Sequence, residues 1–229
     1  MGVELVERQD FGLFIETGCI GLGRHYLENK QYEPHVESCV GGCMRMTGGV
    51  FVDVGAHVGL FSMIAIANGA SKVVAYEPNY ESYRLLNANM ALNWSDHPIR
   101  NDICTSNKAV GVFNGRCGIK SGDEGNTGDF RVCEGSSVPL VRLGTDLPTM
   151  GIKHVDMVKI DVQGCEIDVF KGLVGISWGH VVMEVNGDLE ETKKEISEFM
   201  RGFGVGVRFD DAPDTLVIHS AKLEASDAE

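Results

Sequence analysis

Basic side chains are scarce in this sequence: Lys and Arg together number 20 against 33 Asp and Glu, a formal charge of −13 at pH 7. So acidic a chain repels a phosphate backbone unless a local basic patch offsets it, and no run of Lys and Arg forms one. Lys193-Lys194 stands among Glu190, Glu191 and Glu195, the mark of a solvated helix face. Nucleic acid is disfavoured as a partner. Also missing is any apolar run approaching the ~18–20 residues of a membrane span. The chain does not open on a signal-peptide pattern. Framework cysteines are lacking too. The 7 cysteines are odd in number and scattered. Cys39 and Cys43 lie near each other, but no second Cys or His pair follows at zinc spacing, so no metal is expected. These absences point to a reducing, cytoplasmic compartment. No internal repeat is visible.

What the chain does have is glycine: 29 of 229 residues, against a usual ~7 %. They are spread without a repeat, as in a protein whose loops approach a ligand closely. Apolar runs alternate with helical patterns. Val50–Val54, Lys72–Tyr76, Met157–Val162 and Val181–Val185 read as buried strands, with helices over Leu60–Ala67 and Tyr80–Leu92. Val205–Phe209 and Leu216–His219 read as a closing hairpin around Asp211-Ala212-Pro213-Asp214. Strands joined by crossover helices imply an α/β fold with a mostly parallel sheet. Residues 111–141 break the rhythm and read as an inserted hairpin or lid. Residues 1–47 form a preceding segment with a turn at Glu33-Pro34, 48–223 the main domain, and 224–229 a flexible acidic tail.

The chemistry is expected where Asp53-Val54-Gly55-Ala56-His57-Val58-Gly59 joins a strand to a helix. Such a turn aims free backbone N–H groups and the positive helix end at an anion. Gly55 and Gly59 let a ligand approach without a Cβ in the way. The next strand ends at Glu77, about twenty residues on, where this architecture grips ribose hydroxyls. His57 stands where a dinucleotide turn needs its second glycine, leaving no room for a pyrophosphate. The spacing therefore fits a nucleoside cofactor without one, such as S-adenosylmethionine.

Together with Tyr76-Glu77-Pro78-Asn79 and Lys159-Ile160-Asp161-Val162-Gln163-Gly164-Cys165-Glu166, the turn resembles the FkbM family of class I S-adenosylmethionine-dependent methyltransferases. Phe170-Lys171-Gly172 and Met183-Glu184-Val185 extend the likeness, which covers roughly two thirds of the chain from Tyr32-Glu33-Pro34 to Asn186. The resemblance implies a Rossmann-like fold: a seven-stranded sheet with one antiparallel strand, helices on both faces and here a small β insertion. It also implies O-methyl transfer to a small-molecule, sugar or lipid hydroxyl. Two positions depart from the family, which generally has Asn where His57 stands and Glu where Gln163 stands. Gln163 keeps hydrogen bonding but is no base.

Asp53 is expected to hold the glycine turn, His57 to pack on the cofactor and Glu77 to bind the ribose. Pro78 is expected to bind the cofactor, Asn79, next to Glu77, to touch the adenine edge, and Asn107, Lys108 and Ala109 to border the adenine. Asp161, at the carboxyl edge of the fourth strand, is the carboxylate best placed for the transferring methyl. A hydroxyl acceptor needs a base or polarising group, for which Asp161, Glu166, Glu184 and His57 are the candidates, His57 being read first as packing on the cofactor. Helix capping is the bland reading of Asp161 and Glu166, and pairing with Lys159 that of Glu184. Two other functions compete: methylation of RNA or protein, and a cofactor-binding module without turnover.

Overall fold

Apolar runs flanked by glycine turns make the centre of the molecule, for which we describe a computed structural model covering residues 2–17, 22, 31–121, 130–212 and 215–222. The chain begins with a hairpin of β1 (Val3–Glu7) and β2 (Gly12–Glu16), followed by α1 (Pro34–Thr47). Next come β3 (Val50–Val54), α2 (Leu60–Ala67), β4 (Lys72–Tyr76), α3 (Tyr80–Trp94) and β5 (Ile103–Ser106). An insertion follows of β6 (Ala109–Val110), β7 (Gly115–Ser121) and β8 (Phe130–Val141). The chain then runs through α4 (Leu143–Thr149), β9 (His154–Ile160), α5 (Glu166–Lys171), β10 (Ser177–Glu184) and α6 (Leu189–Arg201). It closes with β11 (Val205–Ala212) and β12 (Thr215–Lys222).

The main sheet has 7 strands in the order β5-β4-β3-β9-β10-β12-β11. From β5 to β10 every pairing is parallel, and β12 runs antiparallel to both its neighbours. Side chains alternate across each strand, so both faces bury apolar surface. Phe51, Val73 and Met157 pack under α1, α2 and α3, whereas Val52, Val74, Val158 and Val181 pack under α4, α5 and α6. The fold is the expected α/β one. β6, β8 and β7 form a separate three-stranded sheet, in which β7 and β8 pair antiparallel.

Some boundaries differ from expectation. β9 and β10 start at His154 and Ser177, earlier than Met157 and Val181, because the parallel ladder already pairs Ser177 with His154 through backbone groups. β9 ends at Ile160, leaving Asp161 and Val162 in the following turn. Pro34 opens α1, suiting the first turn, which has no N–H partner to lose.

The β1–β2 hairpin was not legible as such. It docks on α3 through two asparagines one helical turn apart. The Asn89 amide accepts from Phe14 N (2.6 Å) and donates to Phe14 O (3.0 Å) and Val58 O (2.8 Å). Asn93 accepts from Gly12 N and donates to Gly12 O, both at 2.7 Å. Each side chain does the work of a neighbouring strand for β2, so the edge is not left with unpaired polar groups.

The tail 224–229, residues 122–129 of the insertion, Cys19, and Pro213-Asp214 of the last turn lie outside the described residues. Among the described residues no helix is long and apolar enough to cross a membrane.

Candidate active site

The chain runs outward from β3 to β5 and then returns to lay β9 beside β3. In open α/β sheets ligands bind at such a reversal, outside the carboxyl ends of the strands. A cavity lies there, walled by Gly55, Ala56 and His57 after β3, Glu77 and Pro78 after β4, and Lys108 and Ala109 after β5. Asp161, Val162 and Gln163 after β9 complete its floor, while Tyr32, Leu22 and Val132 close it from outside the sheet.

Gly55 holds φ 76°, and a Cβ there would stand 1.8 Å from the backbone oxygen of Asp161. Only glycine lets β3 and β9 leave the sheet so close together. The space it vacates is filled by the protein's own backbone rather than left for a ligand, which corrects the reason given from sequence. At Gly59 the missing Cβ instead faces the side chains of Leu86 and Met90, and this glycine does not line the cavity.

Glu77 is buried, and its two carboxylate oxygens accept the backbone N–H groups of His57 and Asn79, each at 2.7 Å. Burial pushes its pKa up to about 7, against the pull of those two hydrogen bonds. His57 is held at φ 50°, and burial lowers its pKa to about 4, so the imidazole is neutral at pH 7.

Lys159 is the central charge. Its register partner on β3 is Asp53, and both are buried. The ammonium donates to Gly55 O (2.9 Å) and Asp161 Oδ2 (3.0 Å), stands 3.7 Å from Asp53 Oδ1, and lies over the Phe61 ring. Burial alone would strip its proton, but Asp161, Asp53 and Glu33 outweigh burial and raise its pKa. Burial likewise opposes ionisation of Asp161. Lys159 and hydrogen bonds from Glu184, Lys159 and Gln163 overcome it and hold the carboxyl below its ordinary value. Burial keeps the Asp53 pKa raised; one of its oxygens accepts from Ser62 Oγ at 2.7 Å.

Glu184 ends β10 and is reached from the same cluster. The Gln163 amide nitrogen donates both to Asp161 Oδ1 (3.1 Å) and to Glu184 Oε2 (3.0 Å). Burial, with the Asp161 charge beside it, pushes Glu184 up to about 8. Gln163 takes this position at φ 57°, and Glu33 stands at φ 47°. Among the described residues, the three non-glycine ones with positive φ, Glu33, His57 and Gln163, thus all stand in or beside this site, where backbone strain is typically kept for function.

Not every candidate converges. Asp161, Glu77, Pro78, His57, Gly55, Lys108 and Ala109 line the cavity; Glu184 does not, but borders another hollow that Glu166 shares and is joined to the cavity through Gln163. Asp53 is enclosed behind Lys159. The Asn79 side chain caps α3 by accepting from Ser82 N at 3.0 Å. Asn107 ties the β4 turn by donating to the backbone oxygens of Glu77 and Pro78. Glu166 folds back on its own loop, accepting from Gly164 N (2.8 Å) and Asn186 Nδ2 (3.2 Å), and faces a different hollow. Asp161 caps no helix, since α5 begins after Cys165. Glu184 pairs with Gln163 rather than Lys159.

Lys159 and Tyr32 were missed as site residues. A lysine inside the apolar run of β9 was a usable signal, because buried lysines are rare unless paired. Nothing local marks Tyr32, which the fold brings in ahead of α1.

Residues 53–206 match the model of the methyltransferase FkbM domain. The chain belongs to the FkbM methyltransferase family. It is 26% identical over 162 residues to methyltransferase sdnD of Sordaria araneosa, covering 56% of this chain and 61% of that protein. It is 29% identical over 207 residues to the AMB antimetabolite synthetase AmbE of Pseudomonas aeruginosa, covering 70% of this chain and 10% of AmbE. This family member therefore spans less than two thirds of either relative. In fold it is similar to TYW2 of Pyrococcus horikoshii, crystallised in complex with MeSAdo, with TM-score 0.51 and 14% identity over 95% of this chain and 70% of that one.

Proposed function

We propose that this chain is an S-adenosylmethionine-dependent methyltransferase acting on a hydroxyl of a small-molecule, sugar or lipid acceptor. The observation that carries the reading is Glu77: a buried carboxylate at the tip of β4, facing the cavity, with one N–H on each oxygen. A carboxylate has about four lone-pair sites, so each oxygen keeps room for one hydroxyl of a ribose diol. Burial raises its pKa, and further hydrogen bonds to its oxygens would favour the charged form. The residues present thus fit a nucleoside, and His57 at the turn leaves no approach for a pyrophosphate.

S-adenosylmethionine, when bound, supplies a methyl group on a positively charged sulfur. Glu77 would hold the ribose, and Pro78, Lys108 and Ala109 would flank the base. The N–H groups of Gly55, Ala56 and His57 are already taken by Tyr76 O and Glu77, which corrects the expectation of free donors in that turn, so the carboxylate end would meet the start of α2. Lys159 keeps Asp161 ionised at the cavity floor, where it accepts the proton of the acceptor hydroxyl. Phe61 and Val162 line the cavity with apolar surface and exclude water. Tyr32 bounds the acceptor side. The acidic balance of the chain favours uncharged acceptors over nucleic acid.

Thermal unfolding tests the reading. A ligand that binds only the folded state adds about 2.7 kcal/mol at 100 times its Kd. Titration with S-adenosylmethionine should raise Tm, and Glu77→Ala should remove most of the rise. An equal rise with NAD would refute the assignment. Tritium transfer from labelled cofactor to panels of glycans, lipids, RNA and proteins then identifies the acceptor class.

A further inference from the structure

The Gln163 amide stands between two carboxyl groups. One nitrogen donates to Asp161 Oδ1 at 3.1 Å and to Glu184 Oε2 at 3.0 Å, and the backbone adopts φ 57° to put it there. Lys159 does not replace it: that ammonium sits on the other Asp161 oxygen and beside Asp53. The remaining groups that face the pair are His57 and Glu77 from the turns after β3 and β4, and Tyr32 and Glu33 from ahead of α1. Apart from Lys159 these are acids or neutral rings.

Asp161 and Glu184 also hydrogen-bond to each other, and two carboxyl groups side by side are oxygen donors of the kind a divalent cation takes. Here the Gln163 N–H₂ group already occupies one oxygen of each, and its hydrogens carry partial positive charge and present no lone pair to a metal. Two carboxyl groups this close also cannot both ionise cheaply, so one proton belongs to the pair. We propose that Gln163 takes the place of a divalent cation between Asp161 and Glu184, making the acceptor side of the site cation-independent, with one shared proton in the pair. The assignment rests on the methyltransferase reading only for what the pair serves. Burial, with Asp161 opposite, leaves that proton mainly on Glu184. Asp161 then stays the ionised partner, aligned by Gln163 as a positioning residue.

The test needs neither cofactor nor acceptor. Mn²⁺ alone is titrated against the full chain and followed by electron paramagnetic resonance. Wild type and Asp161→Asn are expected to bind the same amount, all of it elsewhere on the acidic surface. Gln163→Glu, which is isosteric, is expected to bind one additional ion per chain, and the double variant Gln163→Glu/Asp161→Asn to lose it. Mn²⁺ held by wild type and released in Asp161→Asn would overturn the proposal. So would a folded Gln163→Glu that gains no ion. Infrared titration with ¹³C-labelled carboxyl groups reads the proton directly. Wild type should show a protonated carboxyl at neutral pH that is missing in Glu184→Gln, and two ionised carboxylates there would equally overturn the inference. Failure of the methyltransferase reading would instead appear as no Tm rise with S-adenosylmethionine, whatever Mn²⁺ does.

Discussion

Replacing Lys159 by methionine removes the charge that holds the site together while keeping most of the side-chain volume. Lys159 is 4% exposed and stands 3.0 Å from Asp161 and 3.7 Å from Asp53, which is itself fully buried. Breaking a buried ion pair by deleting one partner costs about 3–5 kcal/mol, because the other charge stays behind uncompensated. At roughly 2–4 °C per kcal/mol for a domain of this size, Tm should fall by about 6–20 °C. The pH dependence is the sharper signature. In wild type the Asp161 pKa is lowered on folding, so its contribution is present above the unfolded carboxylate pKa and lost as pH falls through the folded value. Without Lys159, burial dominates at both carboxyl groups and raises their pKa values. The variant should then gain stability relative to wild type as pH is lowered from 7 and its carboxyl groups take up protons. Urea unfolding at several pH values measures both effects. A loss under ~1 kcal/mol at pH 7, a value typical of exposed pairs, would refute the reasoning, as would a gap between variant and wild type that does not change with pH.

Other expectations follow from single contacts. Asp161→Asn should keep cofactor affinity yet lower kcat by ~10²-fold or more if Asp161 takes the acceptor proton; near wild-type kcat at saturating cofactor would end that role. Asn89→Leu removes three hydrogen bonds to Phe14 and Val58 and leaves buried backbone groups unpaired, at about 1–3 kcal/mol each. Hydrogen exchange in β2 should accelerate ahead of the main sheet, and unchanged protection at Phe14 would count against that docking. His180 meets His219 at 2.7 Å across β10 and β12, and burial followed by the His219 charge lowers its pKa from 6.5. Its contribution is therefore full above pH 6.5 and declines as pH falls through the lowered folded value. His180→Asn should flatten the acid limb of the stability curve, and an unaltered limb would show that other groups set it.

The sequence by itself determined the α/β class, the glycine turn after β3 and the acid at the tip of β4, because these depend on near neighbours. Apolar runs bounded by turns make buried parallel strands. A helix begun directly after a glycine turn fixes where backbone donors point. Those local rules carried Gly55, His57, Glu77 and Asp161 to one edge of the sheet. Local rules could not sort residues of the same type by role. Asn79 and Asn107 became a cap and a tie, and Glu166 turned back on its own loop, because each met a nearer backbone partner. Tertiary structure alone decided the electrostatics. Lys159 owes its charge to Asp161 first and then to Asp53, opposite it in register, and Tyr32 and Glu33 meet Asp161 only in the folded chain. Gln163 means little as a letter in a turn. Its amide gains a function from Asp161 and Glu184, which end neighbouring parallel strands far apart in the chain, and electrostatic work depends on distance in space, not on separation along it.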